Sequence, residues 1–253
     1  MKKELKGLLL VFSVFVVFAL SSQSASAEVK VRGGVANTNF SLEYINIFNN
    51  GDVKAQLLTK TLGVTLIGES GVYLDLSGSR GDVNNSTSTF ISAPQMKINS
   101  RTDAAFNIGN TGTLDSGKGY SYFIGYKTGE TLATGYNSSL TSTTNDKYST
   151  TGYVVGGGMS FPLEIGGALG LNIAAARLTT IWSDDASFSA SNDTSGFSVG
   201  WSYNYPLSST YTIAVDGKSN VYRYTFQNCK NQGYACQVSE IVTSLGATLS
   251  AQF

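Results

Sequence analysis

Histidine is absent from all 253 residues. That removes the usual neutral-pH proton acceptor and every Ser-His-Asp arrangement. The chain is therefore read as non-enzymatic: a carboxylate or lysine mechanism would be needed, and no motif marks one. Charge is also scarce. Lys and Arg number 17, Asp and Glu 17, together 13% of the chain, against roughly 25% in ordinary soluble domains. Balanced and sparse charge gives no footing for nucleic acid. Two cysteines and no His leave a zinc site short of ligands. "GGGMSF" and "RGG" are too sparse for phosphate loops. No metal or cofactor is implied. After residue 27 no stretch offers about 18 consecutive apolar residues, so no helix of the remaining chain could span a bilayer.

The missing charge is not replaced by grease. Hydrophobic residues are 42%, and Ser, Thr, Asn, Gly and Tyr fill the rest. At the N-terminus "MKKELK" is a basic region, "GLLLVFSVFVVFAL" an unbroken apolar run, and Ala25-Ser26-Ala27 a small-residue cleavage site. Residues 1–27 read as a secretory signal cleaved near Ala27, leaving 28–253 as the functional domain. An uncleaved anchor is the competing reading, for which the run is short. Without the signal, 14 basic and 16 acidic residues give a net charge of −2. Cys229 and Cys236 bracket "KNQGYA". In an oxidising compartment they are expected to form a disulfide; free or metal-binding thiols are the alternative.

Past residue 27 the dominant signal is alternation of period two. In "GFSVGWSYNYP" Phe197, Val199, Trp201, Tyr203 and Tyr205 share one face, and Ser198, Gly200, Ser202 and Asn204 the other. Similar alternation gives ten strands, at roughly 29–43, 52–67, 71–80, 101–109, 119–128, 150–161, 168–181, 196–205, 210–226 and 238–253, with eight or twelve as alternatives. In the second strand Lys60 shares parity with Leu62, Val64 and Leu66, which leaves its faces unassigned. Arg177 interrupts an apolar face and suggests a bulge. Tight turns alternate with long polar connections at 81–100, 129–150, 183–195 and 227–237. An up-and-down meander with its long loops at one end has this rhythm.

Alternation fits a soluble sandwich or a membrane barrel. The faces opposite the apolar ones are mostly Gly, Ser, Asn and Thr, as in a barrel lumen. A sandwich would show Lys and Glu to solvent. Tyr120, Trp182, Trp201, Tyr203, Tyr205, Tyr211, Tyr222 and Tyr224 gather near strand ends, as in an interfacial girdle. The chain closes on "SLGATLSAQF", with Leu245, Ala247, Leu249, Ala251 and Phe253 in alternation. With its signal and aromatic strands, this ending resembles the bacterial outer-membrane β-barrel proteins. The resemblance implies an all-β, antiparallel, up-and-down transmembrane β-barrel in the outer membrane. It also implies partners: outer-membrane lipid, and a barrel assembly machinery that reads the terminal aromatic strand. Hydrolases within that class are understood to use a histidine, which this chain lacks.

By parity Lys30, Arg32, Asp75, Asp103, Lys127, Asp216, Lys218 and Glu240 face the lumen. They form either a salt-bridged plug or a thin hydrated path for small solutes and ions. The long polar loops are either solvated connectors or binding surfaces for a surface ligand. The expected role is structural or narrow-pore, porin-like, with an adhesin-type surface interaction as the alternative.

Overall fold

The computed structural model describes residues 28–45, 50–90, 96–136, 143–184, 189–225 and 237–253. Residues 1–27, expected to be a signal, and Cys229 and Cys236, expected to pair, lie outside the described residues. The described chain forms ten strands: β1 (Glu28–Ile45), β2 (Asn50–Ile67), β3 (Val72–Phe90), β4 (Met96–Thr113), β5 (Gly119–Tyr136), β6 (Thr143–Pro162), β7 (Ala168–Ser183), β8 (Ser189–Pro206), β9 (Tyr211–Thr225) and β10 (Gln237–Gln252). Each pairs antiparallel with its sequence neighbours, and β10 pairs with β1 to close the barrel. Closure leaves no free sheet edge. At the seam Val29 and Phe253 exchange backbone hydrogen bonds of 2.9 and 3.0 Å.

The barrel has a short-turn end and a loop end. Residues 68–71, 114–118, 163–167 and 207–210 make the short turns. Gly71 and Gly167 sit there at φ of 79° and 76°, in the left-handed region. A Cβ on either would lie 2.1 or 2.4 Å from a carbonyl oxygen of the next strand, so these turns require glycine.

The strands run further than periodicity suggests. Much of the expected loops 81–100 and 129–150 is strand: β3 continues to Phe90, β4 begins at Met96, and β5 and β6 extend over 129–136 and 143–150. The loop expected at 183–195 likewise yields to β8 from Ser189. These extensions keep the alternation but exchange what faces where. Toward the short-turn end apolar groups face out: Leu62, Phe106, Ile124, Val155, Ile173 and Val199 are all exposed on the outer wall. Toward the loop end apolar groups face in. Phe40, Leu42, Val53, Leu57, Ile98 and Val238 form a buried core, none more than 1% exposed. Opposite them Asn37, Asn39, Glu43, Lys54 and Gln56 face out.

β2 shows the switch within one strand. Val53, Ala55 and Leu57 are inside; Leu58, Lys60 and Leu62 are outside. Lys60 therefore stands on the outer wall at the upper edge of the apolar band, its ammonium free to reach polar surroundings. Arg177 also stays in register and faces out, 86% exposed at its side chain. The bulge expected there is absent. Register shifts fall instead between Gln56 and Leu57, and between Ile98 and Ser100. On β8 the apolar band spans Phe197 to Tyr205. Eight steps of about 3.3 Å, tilted by about 40°, give a height of roughly 20 Å. That matches the apolar band of a barrel set in lipid.

Candidate functional site

The lumen holds a cavity of about 750 Å³. It occupies the half nearer the short turns. Its wall is made of inward positions of successive strands, rich in Ser, Thr and Asn, with Lys30, Arg32, Asp75, Asp103, Lys127, Asp216 and Lys218 among them. Inward parity thus places all of these charges where alternation puts them.

Two ionic clusters stiffen this wall. In the lower one Arg32 Nη2 meets Asp75 Oδ1 at 2.7 Å. Arg32 Nη1 donates to Thr65 Oγ1 (2.6 Å), whose hydroxyl donates to Asp75 Oδ1 (2.7 Å). Asn107 Nδ2 donates to the other carboxylate oxygen at 3.4 Å.

The upper cluster is centred on Arg101, which sequence reasoning passed over. Arg101 grips Asp103 with two nitrogens, Nε to Oδ2 at 2.8 Å and Nη2 to Oδ1 at 3.0 Å. Its Nη1 donates to Thr131 Oγ1 at 3.1 Å and forms an ion pair with Glu240 Oε1 at 2.5 Å. The Glu240 contact is a charge contact whose angles fall short of a hydrogen bond. Lys127 Nζ reaches Asp103 Oδ1 at 3.3 Å and donates to the Tyr222 hydroxyl at 2.5 Å. The Tyr224 hydroxyl donates to Glu240 Oε2. Arg101 also lies over the Phe40 ring, 5.4 Å from its centroid. The only signal for Arg101 in the sequence was its two-residue spacing from Asp103. It sat at the assumed strand start, where a charge reads as a loop residue.

Contacts that link β4, β5, β9 and β10 across the interior lay this cluster over the cavity, with the Phe40–Leu57 core beyond it. Charges buried in a low-dielectric interior are tolerated only when paired and hydrogen-bonded. Arg101, Asp103, Lys127 and Glu240 meet that condition through one another.

The aromatic set divides. Trp201, Tyr205 and Tyr211 are exposed on the outer wall, and Tyr120 and Tyr203 are half-buried there. Tyr203 donates to the Gly166 carbonyl at the short-turn end, 3.0 Å. Tyr222 and Tyr224 are not girdle residues: inward parity buries them at 2% and 1% exposure as partners of Lys127 and Glu240. Trp182 also points inward, stacked on Tyr148 at 5.6 Å near the loop end. All three lie above the apolar band, where the inner face is the apolar one. On the outer wall Trp201 covers Gly217 and Tyr120 covers Gly112, each directly opposite on the paired strand. An aromatic ring over a strand glycine restores the packing that the glycine lacks. Tyr126 and Tyr153, edge to face at 5.6 Å, sit at the upper part of the band and were not singled out by position. On β10 Leu245, Ala247, Leu249 and Ala251 face out, and Phe253 is 70% exposed.

No family model matches the chain, and no curated protein does. Solved structures do. The outer membrane protease OmpT from Escherichia coli aligns over 92% of this chain and 99% of its own, at a TM-score of 0.65 and 11% identity. The translocator domain of the autotransporter NalP from Neisseria meningitidis covers 98% of this chain and 95% of its own, at a TM-score of 0.45 and 12% identity. Neisserial surface protein A covers 91% and 100%, at 0.35 and 9%. The chain has the fold of the outer-membrane β-barrels, a closed antiparallel barrel of ten strands. At 11% identity the likeness to the protease is one of fold alone.

Proposed function

We propose that this protein is a non-conducting barrel of the bacterial outer membrane, with a structural role. Its short-turn end would face the periplasm and its loop end the exterior. The roughly 20 Å apolar band supports the membrane setting. The observation that carries the closed state is the Arg101–Asp103–Lys127–Glu240 cluster, backed by the core around Phe40 and Leu57. A water-filled path would have to run between paired charges and then through a packed apolar layer. This reading sets the porin-like expectation aside in favour of the plug. No role is assigned to a catalytic centre. In this setting the outward row Leu245, Ala247, Leu249, Ala251 and Phe253 is the segment that an assembly machinery would read.

One observation favours a second role at the loop end. Strands of 18 residues are about 60 Å long, or roughly 45 Å along the barrel axis. They would lift the connections about 20 Å clear of the band, as a platform for surface contact. Planar-bilayer recording of the refolded full chain tests the closed barrel. No stepwise conductance is expected from the native protein. Stable channel openings would reject the reading. Surface binding that survives shortening of all five loop-end connections would reject the platform.

A further inference from the structure

The charges that line the cavity are not all matched. Arg32 has Asp75 at 2.7 Å, Arg101 has Asp103 and Glu240, and Lys127 has Asp103 and the Tyr222 hydroxyl. Lys218 faces the same cavity and is exposed to it, yet no carboxylate among the described residues lies within 4.0 Å of its ammonium. Asp216, the next inward residue on β9, is the natural candidate, since other residues two apart on a strand do pair: Arg101 with Asp103, and Arg80 with Asp82 at 3.2 Å. Asp216 does not close in this way, and its Oδ2 is buried in the wall. The cavity wall carries five cationic side chains (Lys30, Arg32, Arg101, Lys127 and Lys218) against three carboxylates (Asp75, Asp103 and Asp216), and Glu240, paired with Arg101, adds a fourth.

A second donor stands beside Lys218. Pairing places Asn172 on β7, Gly200 on β8, Lys218 on β9 and Ser244 on β10 in one rung around the inner wall. Gly200, without a side chain, leaves room on this rung for the Asn172 amide. A Cβ there would lie 2.5 Å from Asn172 Oδ1 and 3.0 Å from its Nδ2, so the amide folds over the glycine that separates it from Lys218. Asn172 is itself exposed to the lumen and makes no hydrogen bond with any described residue. An unmatched ammonium, an unused amide and the Ser244 hydroxyl therefore share one rung of a polar cavity large enough for a small solute and its water.

We propose that this rung is a binding site for a small oxyanion: a phosphate, sulfate or carboxylate group entering from the short-turn end. Lys218 supplies the charge and Asn172 a hydrogen bond, and the ligand completes the charge balance that the wall lacks. The site goes beyond the closed-barrel reading and does not depend on it, because a cavity can bind an anion whether or not the lumen conducts. A conductance recording and an anion titration therefore fail separately.

The test titrates inorganic phosphate into the folded full chain in an uncharged glycoside detergent at low ionic strength. Binding is read by calorimetry and by phosphorus-31 line broadening. Heat-modifiable gel mobility confirms that each variant is folded. Saturable binding is expected in the native protein. Lys218→Met should weaken it about tenfold or more, the loss of one charge-assisted hydrogen bond. Lys218→Arg should retain it, and Asn172→Ala should weaken it by a smaller factor. Asp216→Asn, which removes the competing carboxylate, should tighten it. The proposal is overturned if Lys218→Met binds as the native protein does, or if phosphate binds only once Asp216 is replaced. It is also overturned if free phosphate does not saturate while phosphatidylglycerol vesicles do, which would assign the charge to a lipid headgroup.

Discussion

On β1 the outward residues near the short turns are Val31 and Val35, and the inward residues near the loops are Phe40 and Leu42. On β2 the same exchange separates outward Leu62 from inward Leu57 and Val53. One half of the wall is apolar outside and polar within; the other is polar outside and encloses the apolar core, with Thr180, Asn192 and Thr194 also buried there. Both halves obey the same pleat, since side chains alternate whatever the medium. The medium alone decides which face is apolar. The lower half meets lipid and can keep water in its lumen, whereas the upper half meets water and must fill its lumen with a core, as a soluble barrel does. The ionic cluster around Arg101 sits where the two regimes join. It fits both: its charges are paired as burial demands, and its lower side faces the polar cavity.

The largest effect expected is at that junction. Arg101→Met leaves Asp103 and Glu240 without their main partner and should cost about 3–5 kcal/mol, the usual result of breaking a buried ion pair from one side. Urea unfolding of the barrel from lipid vesicles would measure it. A loss under about 1 kcal/mol would mean that the cluster is hydrated rather than buried. Next, Leu57→Ala should cost about 2–5 kcal/mol through the cavity it opens. Leu62→Ala, five residues along the same strand, should cost less, near 1–2 kcal/mol, because lipid fills the space. Equal costs would erase the distinction between the halves.

Charge insertion sharpens the comparison from outside. Val199→Arg, well inside the apolar band, should cost about 2–4 kcal/mol, while Asn39→Arg on the outer wall of the upper half should stay within about 0.5 kcal/mol. The smallest effect is predicted for Arg80→Ala. Its pair with Asp82 is exposed on both sides, and such pairs contribute under about 1 kcal/mol.

The reversal also explains what the sequence revealed and what it hid. β5 and β8 were legible because Tyr122, Ile124 and Tyr126, or Phe197, Val199 and Trp201, set aromatic or branched side chains against small polar ones. Alternation of that strength fixes a strand and its faces together. The continuation of β3 through Asn84, Asn85, Ser86 and Thr87 was hidden. Its outer face is polar because it meets water, and its inner face is closed by neighbours rather than by its own large side chains. A register shift opposite Gln56 and Leu57 breaks parity there as well. Lumen charges were legible singly, since parity needs only the residue and its strand. Their partnerships were not. Arg101 meets Glu240, and Lys127 meets Tyr222, across strands far apart in the chain, and only barrel closure brings them together. Tyr222 and Tyr224 were misplaced for the same reason: an aromatic near a strand end marks an interface only if that end lies in lipid.

Paired nitroxide labels at Val199 and Asn39 test the central claim most directly. Both residues face outward, in opposite halves of the wall. In the refolded, vesicle-embedded chain, the label at 199 should collide mainly with oxygen dissolved in lipid, and the label at 39 mainly with a water-soluble nickel chelate. Two labels with the same preference, for lipid or for water, would contradict the division of the barrel into a lipid-facing half and a water-facing half.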